Sequence, residues 1–144
     1  MLAEVDPDLA ARYVASDPIE PLRTFVGEPS FIRQAGGAGW ALVGDAGVFT
    51  DPMSAHGMTS AFRDAELCAV AAVSYLDGCV DEDEAWRHYA SERDEVARPM
   101  IDVIDDVVAY EHPLELVEQR HLALSKIMRA EARAVMAGPR AVAA

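Results

Sequence analysis

Residues 39–67, GWALVGDAGVFTDPMSAHGMTSAFRDAEL, decide the fold that the sequence predicts. They begin with an uninterrupted apolar segment, residues 40–43, which predicts a short strand buried on both faces. Gly44 and Asp45 follow it, and a turn rich in small residues then leads into an Ala-rich segment that predicts a helix over 57–76. Packing explains the strand and the helix, but it does not require an aspartate at the strand tip.

On the N-terminal side of this stretch, the sequence predicts one short helix and two more short strands. The helix is expected over residues 6–16, because Asp6 can accept hydrogen bonds as its N-cap and proline follows in the first helical position. The two strands are expected at 22–26 and 31–34. The Gly-Gly-Ala-Gly run at 36–39 predicts a flexible turn before the third strand.

On the C-terminal side, the pattern predicts helices to the end of the chain. The acidic run 81–84 suits the first turn of a helix, where the dipole favours negative charge. Pro99 predicts a kink or break in that helix, which is expected to continue from 101 to 111. Pro113 then suits the start of the last helix. The expected apolar set of this last helix is Leu114, Val117, Leu124, Ile127 and Met128.

These elements define an α+β fold that is mostly helical, with three short strands followed by long helices. The chain, residues 1–144, is expected to form a single partial domain, with 81–137 as its C-terminal helices. The Ala-rich helix is expected to be a core helix, because its apolar character extends around much of its circumference. Its main inner face is predicted to contain Ala61, Ala65, Cys68, Ala69, Ala72 and Val73.

Composition excludes some classes of function. A formal net charge of -13 argues against nucleic-acid binding, which needs a basic surface. The longest apolar run, 67–76, is far shorter than the roughly 20 residues that span a bilayer. No signal peptide is visible at the acidic N-terminus, so we expect a cytoplasmic protein with no membrane partner. Cys68 and Cys79 are expected to be unligated thiols. The sequence has no pair of histidines at metal-ligand spacing, so we expect no metal site.

The strand tip and the following turn have the chemistry of a ligand site. The Asp45 carboxylate can accept hydrogen bonds from the hydroxyl groups of a sugar or sugar alcohol. Gly44 and Gly47 are expected to let a ligand approach the backbone. The helix that starts at Gly57 offers unpaired N–H groups and a partial positive charge, which suit an anionic or carbonyl-rich ligand edge.

This stretch resembles the second flavin-binding motif of FAD-dependent aromatic-hydroxylase-type monooxygenases and the related geranylgeranyl-reductase-like flavoproteins. In that family a strand ends in Gly-Asp-Ala and is followed by a proline, a small-residue turn with glycine, and a helix that contains Asp-Ala. The matching residues here are Gly44-Asp45-Ala46, Asp51-Pro52, Gly57 and Asp64-Ala65. The segment 89–99, YASERDEVARP, is similar to a later helix of the family, in which a tyrosine precedes an Arg-Asp pair.

The resemblance implies a role for each of these residues within a strand–turn–helix unit at 31–76. Asp45 would bind a hydroxyl of the FAD ribityl chain, and Pro52 would pack beside the reactive edge of the isoalloxazine. The backbone N–H groups of Gly57 and Met58 would face the N1/C2 carbonyl edge. In complete enzymes of this kind NADH or NADPH reduces the flavin, and a small organic substrate is then oxygenated. No residue of this chain is assigned a catalytic role.

The resemblance is incomplete. Val48 stands where many relatives have a histidine. His56 stands where a glutamine or a small residue is common. No GxGxxG motif that opens a helix is present to bind the ADP half of FAD. We therefore expect the C-terminal fragment of a Rossmann-type FAD-binding fold. The alternative is a non-catalytic acidic helical interaction module or an inactive truncated fragment, and exposed apolar surface predicts self-association or a partner chain.

Several residues of this stretch also have purely structural interpretations. Asp45 alone could be an ordinary turn residue, and His56 fits a solvent-facing loop position better than that of a catalytic base. Arg63 and Asp64 are expected to form structural ion pairs. The residues expected to be core or interface anchors are Trp40, Trp86 and Tyr89.

Overall fold

The computed structural model describes residues 2–17, 20–21, 23, 27–109 and 113–138. Over these residues the chain is mostly helical with a few short strands, which confirms an α+β arrangement at that level. The helices are α1 (Leu2–Val5), α2 (Pro7–Val14), α3 (Gly57–Leu76), α4 (Glu82–Val108) and α5 (Leu114–Ala137). The strands are β1 (Phe31–Ile32), β2 (Gly36–Gly37), β3 (Trp40–Ala41) and β4 (Val48–Phe49).

The strands form two small antiparallel pairs. In one pair β1 lies beside β4, with Phe31 opposite Phe49, and the two rings stack with centroids 5.6 Å apart. In the other pair β2 and β3 form a hairpin, with Gly37 opposite Trp40. The predicted strands at 31–34 and 40–43 are therefore present but shorter, and the strand predicted at 22–26 lies outside the described residues except for Arg23.

Two predictions about the hairpin are wrong. Gly36 and Gly37 are paired in β2, so only Ala38 and Gly39 form the turn predicted for 36–39. Close packing on Trp86 explains the glycine at 36, since an added Cβ would lie 3.1 Å from its ring. Trp40 is 44% exposed, so β3 is not buried on both faces.

The helix limits follow the capping residues. α2 starts after Asp6, whose carboxylate accepts a hydrogen bond from the Leu9 N–H at 2.9 Å. α3 has the predicted limits, and the glycine that follows its end, Gly78, adopts a left-handed φ of 73°. α5 begins directly after Pro113, as predicted.

Pro99 does not break α4, so of the kink or break predicted from the sequence the break is absent. The helix runs from Glu82 to Val108, so it continues for nine residues beyond the proline. The segment that follows the proline carries the buried residues Met100 and Ile104. Their packing against α5 offsets the hydrogen bond that proline removes from the helix.

The core has two parts, and α4 contributes to both. The first joins the hairpin to α3 and α4, and its buried residues are Ala35, Ala71, Ala85 and Tyr89. The second joins α4 to α5, and its buried residues are Met100, Ile104 and Leu124. Leu114, predicted to be in the apolar set of α5, is 71% exposed.

The inner face of α3 differs from the predicted one. Its buried residues are Arg63, Asp64 and Ala71, whereas Ala65 and Ala69 are exposed. Periodicity could not select the face, because this helix is apolar around much of its circumference. None of the helices that the structure describes is both long enough and apolar enough to cross a membrane.

Candidate functional site

The five residues that the resemblance assigns to the cofactor line one pocket of about 690 Å³ at the N-terminal end of α3. Gly44 and Asp45 belong to a 3₁₀ turn at Gly44–Ala46, which follows the hairpin. Pro52 starts a second 3₁₀ turn, and Gly57 and Met58 are the first two residues of α3. The chain folding thus brings together residues from three separate local elements.

Asp45 is exposed at this pocket and lies beside the first turn of α3. A Cβ built on Gly57 would lie 3.9 Å from the Asp45 Oδ1 atom. A larger side chain at position 57 would therefore stand next to the carboxylate and narrow the pocket. The arrangement leaves an acceptor and the free N–H groups of a helix start facing the same space.

The glycines around Asp45 are explained by protein packing. Gly44 has a φ of 58°, and an added Cβ would lie 3.0 Å from the Ala61 Cβ atom. A Cβ on Gly47 would lie 3.0 Å from Arg93 Nη1 and 3.2 Å from the Leu42 carbonyl oxygen. These glycines were expected to let a ligand approach the backbone. Close packing against Ala61 of α3 and Arg93 of α4 already explains why neither position has a side chain.

α4 donates hydrogen bonds to two backbone carbonyls that precede the turn that carries Asp45. The Tyr89 hydroxyl donates a hydrogen bond to the Leu42 carbonyl at 2.7 Å, and Arg93 Nη2 donates to the Arg33 carbonyl at 2.7 Å. Burial raises the pKa of Tyr89, with a further increase from the charge of Asp64. Tyr89 and Arg93, in the segment similar to the family's later helix, therefore hold the backbone next to this turn in place.

A buried cluster of charged side chains joins the first two turns of α3 to α5. Arg63 pairs with Asp64 at 2.6 Å, which confirms the structural ion pair predicted for them, and it also contacts Glu131 of α5. The Ser60 hydroxyl donates to Glu131 Oε1 at 3.1 Å. His56 Nε2 contacts Glu131 Oε2 at ion-pair distance without the alignment of a hydrogen bond.

His56 is not solvent-facing, so that prediction is wrong. Its side chain is 12% exposed because it turns toward Glu131 instead of projecting from the loop. The contact is an ion pair when the imidazole is protonated. A loop residue next to Gly57 is thus tied to the last helix of the chain.

Asp64 links the turn at Gly44 to α3. Burial raises the pKa of this carboxyl, and the charge and hydrogen bond of Arg63 counteract part of the increase. The charge of Arg93 and the nearby backbone N–H of Gly44 act in the same lowering direction. The buried Asp64 carboxylate therefore lies close to the Gly44 backbone, and Ala61 leaves no room for a side chain at position 44.

The residue that sequence reasoning missed is Glu131. It is fully buried, although glutamate is among the residues that are almost never buried without a partner. A signal was present in the sequence, because Glu131 continues the helical register of Leu124, Ile127 and Met128 on the inner face of α5. Its partners could not be identified, since they lie about 70 residues earlier in the chain.

The site offers binding groups and no cluster of metal ligands. Within the parts of the chain that the structure describes, no three or more histidine, cysteine or acidic side chains are arranged to hold a metal ion. Its chemical resources are an exposed carboxylate, a helix N-terminus and a pocket wall that includes Val43, Phe49 and Pro52. Comparison with protein-family models, curated proteins and solved structures found no significant match to this chain.

Proposed function

We propose that this chain supplies the ribityl- and isoalloxazine-contacting portion of an FAD-dependent monooxygenase, as the C-terminal part of a Rossmann-type FAD-binding fold. The observation that supports the proposal is the shared pocket of Gly44, Asp45, Pro52, Gly57 and Met58. Its volume of about 690 Å³ lies within the roughly 300–1,000 Å³ typical of ligand pockets.

The residues present fit the central part of a flavin. Asp45 would accept a hydrogen bond from a ribityl hydroxyl, because its carboxylate is exposed at the pocket. The N–H groups of Gly57 and Met58 belong to the first turn of α3, where they have no acceptor within the helix. Together with the helix dipole they would stabilise negative charge on the pyrimidine edge of the ring system. Pro52 would pack against the ring.

The bound flavin would supply redox chemistry, with NADH or NADPH as reductant and a small organic molecule as substrate. The chain's own contribution is binding and orientation, and none of its residues is proposed to be catalytic. The cytoplasmic location and the lack of a nucleic-acid partner, both expected from the sequence, remain predictions.

The proposal is tested by titrating the purified chain with FAD and following flavin fluorescence. Weak but saturable quenching is expected, because the sequence has no GxGxxG motif to bind the ADP half of FAD. Asp45→Ala should weaken binding by roughly 10- to 100-fold, because a hydrogen bond to a charged group contributes about 1.5–3 kcal/mol. Asp83→Ala is the matched control, since Asp83 is an exposed acid in the first turn of α4 and outside the pocket. Absence of saturable binding, or an equal effect of both substitutions, would contradict the proposal.

An exposed apolar face on α3 favours a second candidate, a non-catalytic acidic helical interaction module. Met58, Phe62, Val73 and Leu76 are all exposed, and Phe62 has 75% of its surface accessible. Their spacing places them along one side of the helix, with the small exposed residues Ala65 and Ala69 between them. Such a continuous apolar face suits self-association or a partner chain.

The second candidate is tested by light scattering over a range of protein concentrations. The mass of the wild-type chain is expected to rise with concentration, and Phe62→Ser should reduce that rise by removing the largest exposed side chain of the face. Tyr13→Ser is a suitable control, because it removes an exposed aromatic residue from α2. A chain that stays monomeric at high concentration would argue against self-association.

A further inference from the structure

We propose that Glu131 is a positioning residue for the candidate cofactor pocket and that it acts through His56. The inference rests on the proposed flavin site, although one of its tests does not need a ligand. Glu131 is fully buried on α5, yet its partners all belong to the start of α3. It contacts the side chains of His56, Ser60 and Arg63.

His56 is well placed to transmit this contact to the pocket. It immediately precedes Gly57, and its carbonyl accepts the hydrogen bond of the Ser60 N–H at 3.1 Å. Any displacement of His56 therefore moves the first N–H groups of α3, including those of Gly57 and Met58. With the imidazole held against Glu131, these donors are fixed before a ligand arrives, which lowers the entropic cost of binding.

The residue before His56 has an unfavourable backbone conformation. Ala55 has a φ of 52°, the only positive φ of a non-glycine residue in the described parts of the chain. This left-handed conformation is disfavoured for a residue that carries a Cβ. The Ala55 N–H donates to the Pro52 carbonyl at 2.9 Å, whereas the hydrogen bond from the His56 N–H to the Ser54 hydroxyl is long, at 3.4 Å.

The side-chain contact with Glu131 joins this loop to α5. Both partners are largely or completely shielded from water, and solvent and salt screen such a pair less than an exposed one. Arg63 and Ser60 hold the other carboxylate oxygen of Glu131, so the acceptor itself is fixed in place. The last helix of the chain thereby orients a loop at the pocket.

A double-mutant cycle on FAD affinity separates this role from a general effect on stability. Glu131→Gln should weaken FAD binding by about tenfold, in the range of coupling energies of contacting residues. In a His56→Ala background the same change should have almost no further effect. Glu115→Gln, an identical change at an exposed position of α5, serves as the control.

The cycle also has an outcome that would overturn the inference. Glu131 pairs with Arg63 as well, so a role exercised through Arg63 would give the same loss of affinity with or without His56. Equal losses in the two backgrounds, or no loss at all, would show that Glu131 does not act through His56.

Amide hydrogen exchange of the ligand-free chain provides the independent test. The Ser60 N–H is bonded to the His56 carbonyl, so its exchange should accelerate by about tenfold in Glu131→Gln. It should show no further acceleration when His56→Ala is already present. If the wild-type chain binds no FAD, the proposed function fails, while this exchange measurement still decides the positioning role. Unchanged exchange at Ser60 would overturn it.

Discussion

Replacing Gly44 by alanine should destabilise the fold through two separate effects. The residue has a φ of 58°, in the left-handed region. The new Cβ would also meet the Ala61 Cβ atom of α3 at 3.0 Å, closer than such atoms normally pack. The turn also packs against α3 close to the buried Asp64, which limits its room to move away.

The size of the effect can be worked from these two observations. A left-handed conformation costs a residue with a Cβ about 1–2 kcal/mol. Overpacking adds about 1–3 kcal/mol. Alanine also restricts the unfolded chain, which offsets roughly 0.4–1 kcal/mol. The expected net loss in the free energy of unfolding is therefore about 1–4.5 kcal/mol, with about 3 kcal/mol at the centre of the range.

Equilibrium unfolding in urea measures this loss, and Gly39→Ala supplies the comparison. Gly39 also has a positive φ, of 79°, but a Cβ added there would have no neighbour within 4 Å. It should show only the conformational cost, about 1 kcal/mol. Adding Ala61→Gly to the Gly44 variant should recover part of the packing cost. A Gly44 variant no less stable than the Gly39 variant would refute the reasoning.

Two further predictions concern α4. Burial raises the pKa of Tyr89 above the ordinary tyrosine value of 10.0, so the side chain ionises first in the unfolded chain, and stability should fall as the pH rises above that value. Tyr89→Phe should lose about 1 kcal/mol at neutral pH, with the bond to Leu42, and should show a shallower alkaline decline in urea unfolding; an equally steep decline would contradict this. Pro99→Ala should raise the melting temperature, because the exposed proline removes one backbone hydrogen bond from the helix and its ring clashes with the preceding turn. Together these two effects cost up to about 3 kcal/mol. A lower melting temperature would show that proline is favourable there.

Local signals were sufficient to predict α3 but not the hairpin. The helix starts and ends where the sequence indicated, at Gly57 and just before the glycine at 78, because these residues determine backbone conformation themselves. The pairing of Gly36 and Gly37 depends on contact with Trp40 and Trp86. A run of glycines alone gives no sign of such a contact, so it predicts a turn.

The candidate site shows the same division between local and distant information. Asp45, Pro52 and Gly57 were selected from one continuous stretch, and they do line one pocket. His56 was assigned to solvent because its partner, Glu131, lies on another helix. The helical register of α5 could indicate that Glu131 is buried, but it could not indicate which residues pair with it.

The most direct test of the central claim compares the binding of riboflavin and FAD to the wild-type chain and to Asp45→Ala. The pocket is proposed to contact only the ribityl and isoalloxazine parts, which both molecules share. Their affinities should therefore agree within about threefold, less than 1 kcal/mol, and Asp45→Ala should weaken both equally. If neither molecule binds, if FAD binds much more tightly than riboflavin, or if the substitution changes neither affinity, the account is contradicted.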